Sequence, residues 1–364
     1  MTSRCCDWRS RCRIFLGPLA ALLSLAFQSA AAQSVSGEPE FDDAHFHHTN
    51  YIQNGTDIHD FLKIMGTKVG RVAIFGIPLQ QEWSYPNSGS FAPTYYLQTD
   101  APLYYYSFTD AYIAMAYRSL SPEEQAHFDP MITGFNPADM YAADHIRRVL
   151  KTFPGVFSGI GEFTIHKEFV CAKIAGQTAS LTNPALDRIL DFAAEAGLVA
   201  LIHNDVDVPF PKEGAEPACL AQMKALLKNH ASTRIWAHCG VGRIVRPVTQ
   251  HAAMLESILS DPRMSNVYFD ISWDEVAKYI VASAESARIN ADLINRYPDR
   301  FLFGTDEVAP NTQENYLNIY FQYQPLWDRL TPDAREAVRK HNYERLFDVA
   351  RRRVREWENA NRAG

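Results

Sequence analysis

The stretch LVALIH, residues Leu198–His203, runs through five apolar residues and ends in a histidine. A short run that is continuously apolar is typical of a parallel strand that is covered on both faces. A helical pattern, Asn183–Ala196, precedes it, and the polar pair Asn204-Asp205 follows it. The stretch therefore predicts one strand-and-helix unit of an α/β protein, with polar side chains where the strand ends.

The same unit recurs along the chain. The eight predicted strands are Phe41–Phe46, Arg71–Ile77, Pro130–Gly134, Val156–Glu162, Leu198–His203, Arg234–Ala237, Asn266–Ile271 and Arg300–Phe303. The predicted helices are Asp57–Met65, Pro137–Thr152, Asn183–Ala196, Glu216–Asn229, Val248–Ser260, Trp273–Asn295, Thr312–Trp327 and Pro332–Glu356. Eight such units in roughly 320 residues fit a (β/α)₈ TIM barrel, whose usual size is ~250 residues plus insertions. A doubly wound open sheet is the alternative.

One segment between the second and third strands is too long and too aromatic for a simple connection. It is Trp83–Tyr117, and it contains the pair Tyr95-Tyr96 and the triplet Tyr104-Tyr105-Tyr106. After a barrel strand, such a segment belongs to the rim where substrates bind. The sequence fits an aromatic lid or wall for an organic substrate and equally fits a small satellite core or a subunit contact.

The first 40 residues have the layout of an export signal followed by a flexible lead. Met1–Arg13 is rich in arginine, the apolar run Ile14–Phe27 follows, and a small-residue triplet ends at Ala32. This layout is typical of a secretory signal cleaved before residue 33. The apolar run is shorter than the ~20 residues that cross a bilayer. We therefore expect a signal peptide at 1–32, a lead at 33–40, a barrel domain at 41–364, a periplasmic or secreted location and no stable membrane anchor.

Composition and charge exclude some classes of partner and fold. The chain is 47% hydrophobic and 21% charged, and its formal charge is −7, or −10 without residues 1–32. Nucleic-acid affinity comes mainly from basic side chains, so a nucleic-acid partner is not expected. Past the signal the chain keeps Cys171, Cys219 and Cys239, which allow one disulfide whose pairing the sequence leaves open. A homo-oligomer also stays open.

Five predicted strands end in polar side chains of the kinds that bind metals. They deliver His45 and His47, Glu162, His203, His238 and Asp306. Such residues are costly at the end of a buried strand unless a partner or an ion satisfies them. The side chains of His45 and His47 point to the same face of the strand. Their Cα atoms lie ~6.6 Å apart at ~3.3 Å per residue, so the two rings can converge on one ion. His48 faces the other way.

This ordered set resembles the amidohydrolase superfamily, and specifically its amidohydrolase-2 (amidohydrolase-related) family. The resemblance runs from His45-Phe46-His47 through Gly159-Ile160-Gly161-Glu162, His203, His238 and Gly304-Thr305-Asp306 to His341-Asn342-Tyr343-Glu344-Arg345-Leu346-Phe347. It implies that His45, His47, His203 and Asp306 bind a divalent metal, with zinc expected. Glu162 implies a site of the type in which the fourth strand contributes a glutamate rather than a carboxylated lysine. His238 is either a ligand to a second metal or a group that polarises the substrate. One or two ions are compatible with this set.

These residues predict a metal-dependent hydrolase that cleaves an amide, lactone or ester in a small organic substrate. A bound divalent ion lowers the pKa of water toward ~7. Asp306 is then expected to accept and return the proton, and His238 to steady the oxyanion. His166 and Lys167 after the fourth strand are candidate substrate contacts, as are Arg243 and Arg246 after the sixth. The resemblance also covers nonoxidative decarboxylases of aromatic or unsaturated acids, and a non-catalytic extracytoplasmic binding protein is a third hypothesis.

Overall fold

The computed structural model describes residues 38–176, 180–212 and 214–362. The predicted signal peptide and most of the predicted lead lie outside these residues. The strands are β1 Phe41–His47, β2 Val69–Phe75, β3 Leu79–Gln81, β4 Leu103–Tyr105, β5 Phe128–Ile132, β6 Gly159–His166, β7 Val199–Asn204, β8 Thr233–Trp236, β9 Val267–Asp270, β10 Phe301–Leu302 and β11 Glu307–Val308. Among the described residues, no helix has both the length and the apolar character of a membrane span.

The helices lie between the strands and after the last of them. They are α1 Ile58–Met65, α2 Tyr85–Ser88, α3 Phe108–Arg118, α4 Pro122–Gln125, α5 Ala142–Thr152, α6 Val170–Lys173, α7 Pro184–Ala196, α8 Leu220–Asn229, α9 His251–Leu259, α10 Asp274–Ile280, α11 Ala284–Arg296, α12 Gln313–Gln322, α13 Gln324–Trp327, α14 Pro332–Glu336 and α15 Asn342–Ala360. Short 3₁₀ turns lie at Ala237–Gly240, Pro262–Met264 and Pro298–Arg300, and a π-helical turn lies at Ala337–His341.

The main sheet is parallel and closes on itself. Its order is β10-β9-β8-β7-β6-β5-β2-β1-β11. The two end strands belong to one run of chain, 301–308, in which β10 pairs with β9 and β11 pairs with β1. The Ala44 N–H also donates to the Phe303 carbonyl at 3.0 Å. This run is therefore the eighth strand of the predicted (β/α)₈ barrel.

Asp43 ties the first strand to the eighth. Its carboxylate accepts hydrogen bonds from the Thr305 backbone N–H at 2.9 Å, the Thr305 hydroxyl at 2.6 Å and the Tyr316 hydroxyl at 2.8 Å. The barrel closes there through side-chain hydrogen bonds as well as through the ladder. This fixes the position of the residues that follow, including Asp306.

The core has an inner and an outer part, as expected of strands that are covered on both faces. Along β7, Val199 and Leu201 pack in the inner cluster, and Ala200 and Ile202 pack in the outer cluster against the helices. A strand alternates its faces every residue, so His203 follows Val199 and Leu201 on the inner face. The buried strand thus positions a histidine inside the barrel.

Several predicted helix boundaries were wrong for local reasons. The predicted helix Trp273–Asn295 is two helices, because the Ser283 side chain caps a new one by accepting from the Ser286 N–H. The predicted helix Thr312–Trp327 breaks near Pro325, which lacks an N–H group. α5 begins at Ala142 rather than at Pro137.

Two other expectations need correction. The fourth barrel strand runs to His166 instead of ending at Glu162. Cys171, Cys219 and Cys239 are all free thiols, so no disulfide forms among the described residues.

The closing helix α15 is held by Asn342, whose side-chain amide donates to the carbonyls of Pro298 and Phe301, both at 2.8 Å.

Candidate metal centre

Six polar side chains converge inside the carboxyl-terminal end of the barrel. They are His45 and His47 from β1, Glu162 from β6, His203 from β7, His238 after β8 and Asp306 between β10 and β11. All are buried except Asp306, which keeps about a tenth of its side chain exposed (9%). The structure therefore brings together every residue that was predicted to bind metal.

The distances within this group are short. The Asp306 Oδ1 atom lies 3.1 Å from the Nε2 atoms of both His45 and His47. Glu162 lies in the middle, with Oε2 3.4 Å from the His47 Nε2 atom and Oε1 3.8 Å from the His238 Nε2 atom. The Nδ1 atom of His203 forms a hydrogen bond with Glu162. One carboxylate thus contacts side chains from three different strands.

The backbone at two of these residues is unusual. His238 and Asp306 have φ angles of +55° and +54°, in the left-handed region that residues other than glycine rarely adopt. Each such residue costs on the order of 1–3 kcal/mol and persists only where its surroundings enforce it. Here the N–H of His238 donates to Asp270 and the N–H of Asp306 donates to the His45 carbonyl, each at 2.8 Å. These hydrogen bonds aim both side chains at the cluster.

Asp270 and Ser272 support the cluster and were not among the predicted site residues. Asp270 Oδ2 lies 2.9 Å from the His45 Nδ1 atom. The Ser272 hydroxyl donates to Asp270 Oδ1 at 2.6 Å and lies 2.9 Å from the His238 Nδ1 atom. Both follow the apolar run Val267–Phe269, and an aspartate at a strand end is the signal that could have identified the first of them.

Asp205, from the polar pair that follows β7, contacts one of the candidate ligand histidines. Its Oδ1 atom lies 3.1 Å from the His203 Nε2 atom, and its Oδ2 atom accepts from the Glu168 N–H at 2.7 Å. His203 is therefore held between Asp205 on one side and Glu162 on the other. A carboxylate on the outer nitrogen of a histidine ligand is a common way to fix its ring.

The electrostatics keep both central carboxylates ionised. Burial would raise the pKa of Asp306, but His45 beside it holds that pKa well below its usual range. Burial would likewise raise the pKa of Glu162, and Lys167 and His203 hold it low. Burial lowers the pKa of His238 to about 3, so this imidazole is neutral near pH 7.

The donor set fits a divalent cation. His45 Nε2, His238 Nε2 and Asp306 Oδ1 are buried, have no hydrogen-bond partner among the described residues, and lie within 4.8 Å of one another. Two further triads of the same kind overlap with this one, His45–His47–Glu162 and Glu162–His203–His238. Buried polar atoms without partners are costly, and a cation would satisfy these. Imidazole and carboxylate ligands together suit zinc and other first-row metals.

A cavity of about 420 Å³ opens above this cluster. His47 and Asp306 line its inner end, and Tyr51, Tyr95 and Trp273 supply aromatic walls. Trp273 lies directly over the cluster, with its ring centroid 5.0 Å from that of His238. The cavity has the size of a small organic molecule.

The predicted substrate contacts are placed differently from one another. Lys167 is buried and lines the cavity, with its Nζ atom 3.7 Å from Glu162. Arg243 also lines the cavity, but it is paired with Glu275 at 2.5 Å. His166, at the end of β6, is not among the described residues that line the cavity. Arg246 is exposed and lines a second cavity beside the first.

The aromatic insertion lines the cavity with one tyrosine and contributes the next to a satellite core. Tyr95 lines the cavity above the metal cluster. Tyr96 instead lies in a satellite core with Tyr51, Leu79 and Leu103, and its hydroxyl forms a hydrogen bond with Glu168. The antiparallel pair β3 and β4 frames this core. The insertion is therefore an anchored wall of the cavity.

Comparison with solved structures shows similarity to TIM-barrel proteins. A protein from Pseudomonas putida assigned as a 2-pyrone-4,6-dicarboxylic acid hydrolase has a TM-score of 0.52 at 14% identity, covering 86% of this chain and 99% of its own. An uncharacterised TIM-barrel protein from Bordetella bronchiseptica has a TM-score of 0.52 at 12% identity, and the match covers 85% of this chain and 99% of that protein. A 2,6-dihydroxybenzoate decarboxylase in complex with 2,6-dihydroxybenzoate has a TM-score of 0.50 at 12% identity, and the match covers 86% of this chain and 99% of that protein. At these identities the likeness shows the fold alone.

Sequence comparison shows the family. No curated protein matches the chain. The family model described as amidohydrolase, of the amidohydrolase-2 type, matches residues 43–349. The match includes all six residues of the cluster and extends into α15. The chain therefore belongs to the amidohydrolase-2 family.

Proposed function

We propose that the protein is a metal-dependent hydrolase that cleaves an amide, lactone or ester bond in a small organic substrate. The observation that carries this proposal is the position of Asp306. Its Oδ1 atom lies 3.1 Å from two histidine Nε2 atoms and has no hydrogen-bond partner among the described residues, while its side chain lines the open cavity. A carboxylate so placed can serve both a metal and a reacting molecule.

His45, His47, Glu162 and Asp306 would hold the ion, together with His203 and His238. A divalent ion bound there supplies a polarised substrate carbonyl and a water molecule with a lowered pKa. We expect zinc, because the set combines imidazole nitrogens with carboxylate oxygens. The three triads overlap in pairs, through His45, Glu162 and His238, and leave room for one ion or two.

Asp306 acts as the proton acceptor in this proposal. It is ionised, because His45 holds its pKa well below the usual range against the effect of burial. It accepts the proton of the attacking water and then returns it to the leaving nitrogen or oxygen. Its left-handed backbone and the hydrogen bond from its N–H to the His45 carbonyl fix its direction.

The hydrogen-bond network favours the ligand role for His238 over the oxyanion role. The Ser272 hydroxyl gives its proton to Asp270, so its oxygen accepts from the His238 Nδ1–H group. Because burial keeps His238 neutral, its Nε2 atom then presents a lone pair to the cluster. A lone pair binds a cation and cannot donate to an oxyanion. Lys167, a buried cation that lines the cavity, can stabilise the oxyanion instead.

The test is an Asp306→Asn variant assayed on a panel of 4-nitrophenyl esters, lactones and aryl amides. We expect kcat to fall by about 10²–10⁴-fold, the range for removal of a general acid–base. Elemental analysis of the same sample separates loss of the base from loss of metal. Asp292→Asn, an exposed aspartate on α11, is the matched control and should keep full activity. Full activity in Asp306→Asn would contradict the proposal.

A nonoxidative decarboxylase is the second candidate. It is favoured by the two cations that line the cavity, Lys167 and Arg243, and by the aromatic walls formed by Tyr95 and Trp273. Ionised Glu162 argues against it, because it would repel a substrate carboxylate near the ion. Release of carbon dioxide, with no ¹⁸O from labelled water incorporated into the organic product, would establish decarboxylation. Bound metal without turnover of the hydrolase panel or of aromatic and unsaturated acids would support the third candidate, a binding protein.

A further inference from the structure

A second and larger cavity lies beside the one above the metal cluster. Its volume is about 920 Å³, and it is formed by residues from 207–212 and 214–220 after β7 and by residues from 243–254 after β8. Both segments leave the carboxyl ends of barrel strands, so the cavity is on the same rim as the metal cluster. Phe210, Leu220, Val248 and Met254 give it apolar walls.

The charged side chains of this cavity are mostly basic. Among the described residues, Lys212, Lys224, Arg243 and Arg246 line it, against one acid, Asp207. The Asp207 carboxylate accepts from the N–H groups of Val208 and Ala218, at 2.8 and 3.0 Å, so backbone donors already stabilise its charge. On a chain with a formal charge of −7, a concentration of basic side chains in one concave site is unusual.

Two of these cations are available to a ligand. Arg243 is paired with Glu275, and Lys224 donates to the Ser257 hydroxyl. Lys212 and Arg246 are exposed, and neither has a carboxylate partner among the described residues. An arginine and a lysine beside apolar walls are suited to an organic anion whose carbon skeleton is largely apolar.

Arg243 connects the two cavities, because it lines both. Its guanidinium lies over the rings of Tyr95 and Trp273, at 5.5 and 5.2 Å from their centroids. Its Nε atom is buried and has no hydrogen-bond partner in the described chain. The cavity above the metal and the basic cavity thus share one charged wall.

We propose that the larger cavity is a second subsite, which binds a carboxylate-bearing and otherwise apolar part of the substrate through Lys212 and Arg246. The inference rests on the proposed hydrolase for its kinetic consequence, but the binding itself does not depend on turnover. The substrate class is an elongated organic acid whose scissile bond lies at the metal and whose carboxylate lies at the second subsite. Arg243 would contact the chain that joins them.

The binding experiment uses 1-anilinonaphthalene-8-sulfonate, a fluorescent apolar anion, and measures the fraction that octanoate displaces. We compare the intact protein with Lys212→Gln/Arg246→Gln and with the control Lys63→Gln/Arg329→Gln, which removes two exposed cations elsewhere. We expect the concentration of octanoate that displaces half of the probe to be at least about tenfold lower for the intact protein and the control than for the first variant. Uncharged octanamide should displace it poorly from all three. Equal displacement by octanoate from all three proteins would overturn the proposal.

The kinetic experiment compares 4-nitrophenyl hydrogen suberate with its methyl ester, which has the same length and no charge. We expect the intact protein to favour the acid by about tenfold in kcat/KM and the Lys212→Gln/Arg246→Gln variant to lose that preference. A preference that persists in the variant would contradict the second subsite. If neither ester is cleaved, the proposed hydrolase activity fails on these esters, while the displacement experiment still decides whether the subsite exists.

Discussion

At the scale of single residues, Asp270 links two of the candidate ligands. Its Oδ2 atom holds the His45 ring, and its Oδ1 atom accepts from the His238 backbone and from Ser272. The same carboxylate therefore fixes one ring directly and the other through a hydroxyl. Burial would raise the pKa of Asp270, but His45 lowers it, so the group stays ionised.

We predict that Asp270→Asn weakens metal binding without removing a ligand. The amide has about the same size but no charge, and it can no longer raise the basicity of the His45 ring. Loss of such an outer partner costs about 10–100-fold in metal affinity. Competition with a chromogenic chelator measures this change. Asp292→Asn serves again as the control, and an affinity equal to that of the unchanged protein would rule out the orienting role.

At the scale of elements, Asp110 of α3 joins its helix to the end of β5. Its carboxylate accepts from the N–H groups of Thr133 and Gly134, at 2.8 and 3.0 Å. Gly134 is needed for this approach, because a Cβ atom there would lie 2.7 Å from Asp110 Oδ2. Burial is the main influence on this group and raises the pKa of Asp110 to about 7, although both hydrogen bonds oppose the shift.

We predict that Asp110→Asn makes the protein more stable at pH 8 and leaves its stability unchanged near pH 4. Because the pKa of Asp110 is about 7 in the folded chain and returns to its ordinary value of 3.8 on unfolding, the folded state binds more protons between these values. Its free energy of unfolding therefore falls as pH rises through this window, by at most about 4 kcal/mol. Urea unfolding of both proteins at pH 4, 6 and 8 measures the difference. A difference that is constant with pH would contradict this account.

The same scale shows what could be predicted from the sequence. The strand ends carrying His203 and Asp306 were identifiable, because each places a polar group after an apolar run. The first strand is mostly polar, and His45 was identifiable from its spacing to His47 instead. The break at Ser283 was not identified, because the apolar pattern continues across it and a single serine cap decides it. Ser272 gave no signal at all, since its role depends on two rings that are 34 and 227 residues away.

At the scale of the whole molecule, closure of the barrel assembles the cluster. His45 and Asp306 are 261 residues apart in sequence, and they meet only because the run 301–308 pairs with both β9 and β1. The assembled site holds ionised Glu162, Asp270 and Asp306 in a buried space. Like charges in such a space oppose folding unless a cation offsets them. Metal binding and barrel stability are therefore coupled.

We predict that removal of the metal with EDTA lowers the midpoint of thermal unfolding, and that Zn²⁺ restores it. A ligand present at 1,000 times its dissociation constant stabilises the folded state by about 4 kcal/mol. For a chain of this size, with an unfolding entropy of about 2.1 cal/mol/K per residue, that corresponds to roughly 5–6 °C, which differential scanning calorimetry resolves. His45→Asn/His47→Asn removes two ligands, so its midpoint should already be low and should not respond to EDTA or to Zn²⁺. Equal responses of the variant and the intact protein would show that the stabilising ion binds elsewhere, because only a site built on β1 predicts that the two proteins differ.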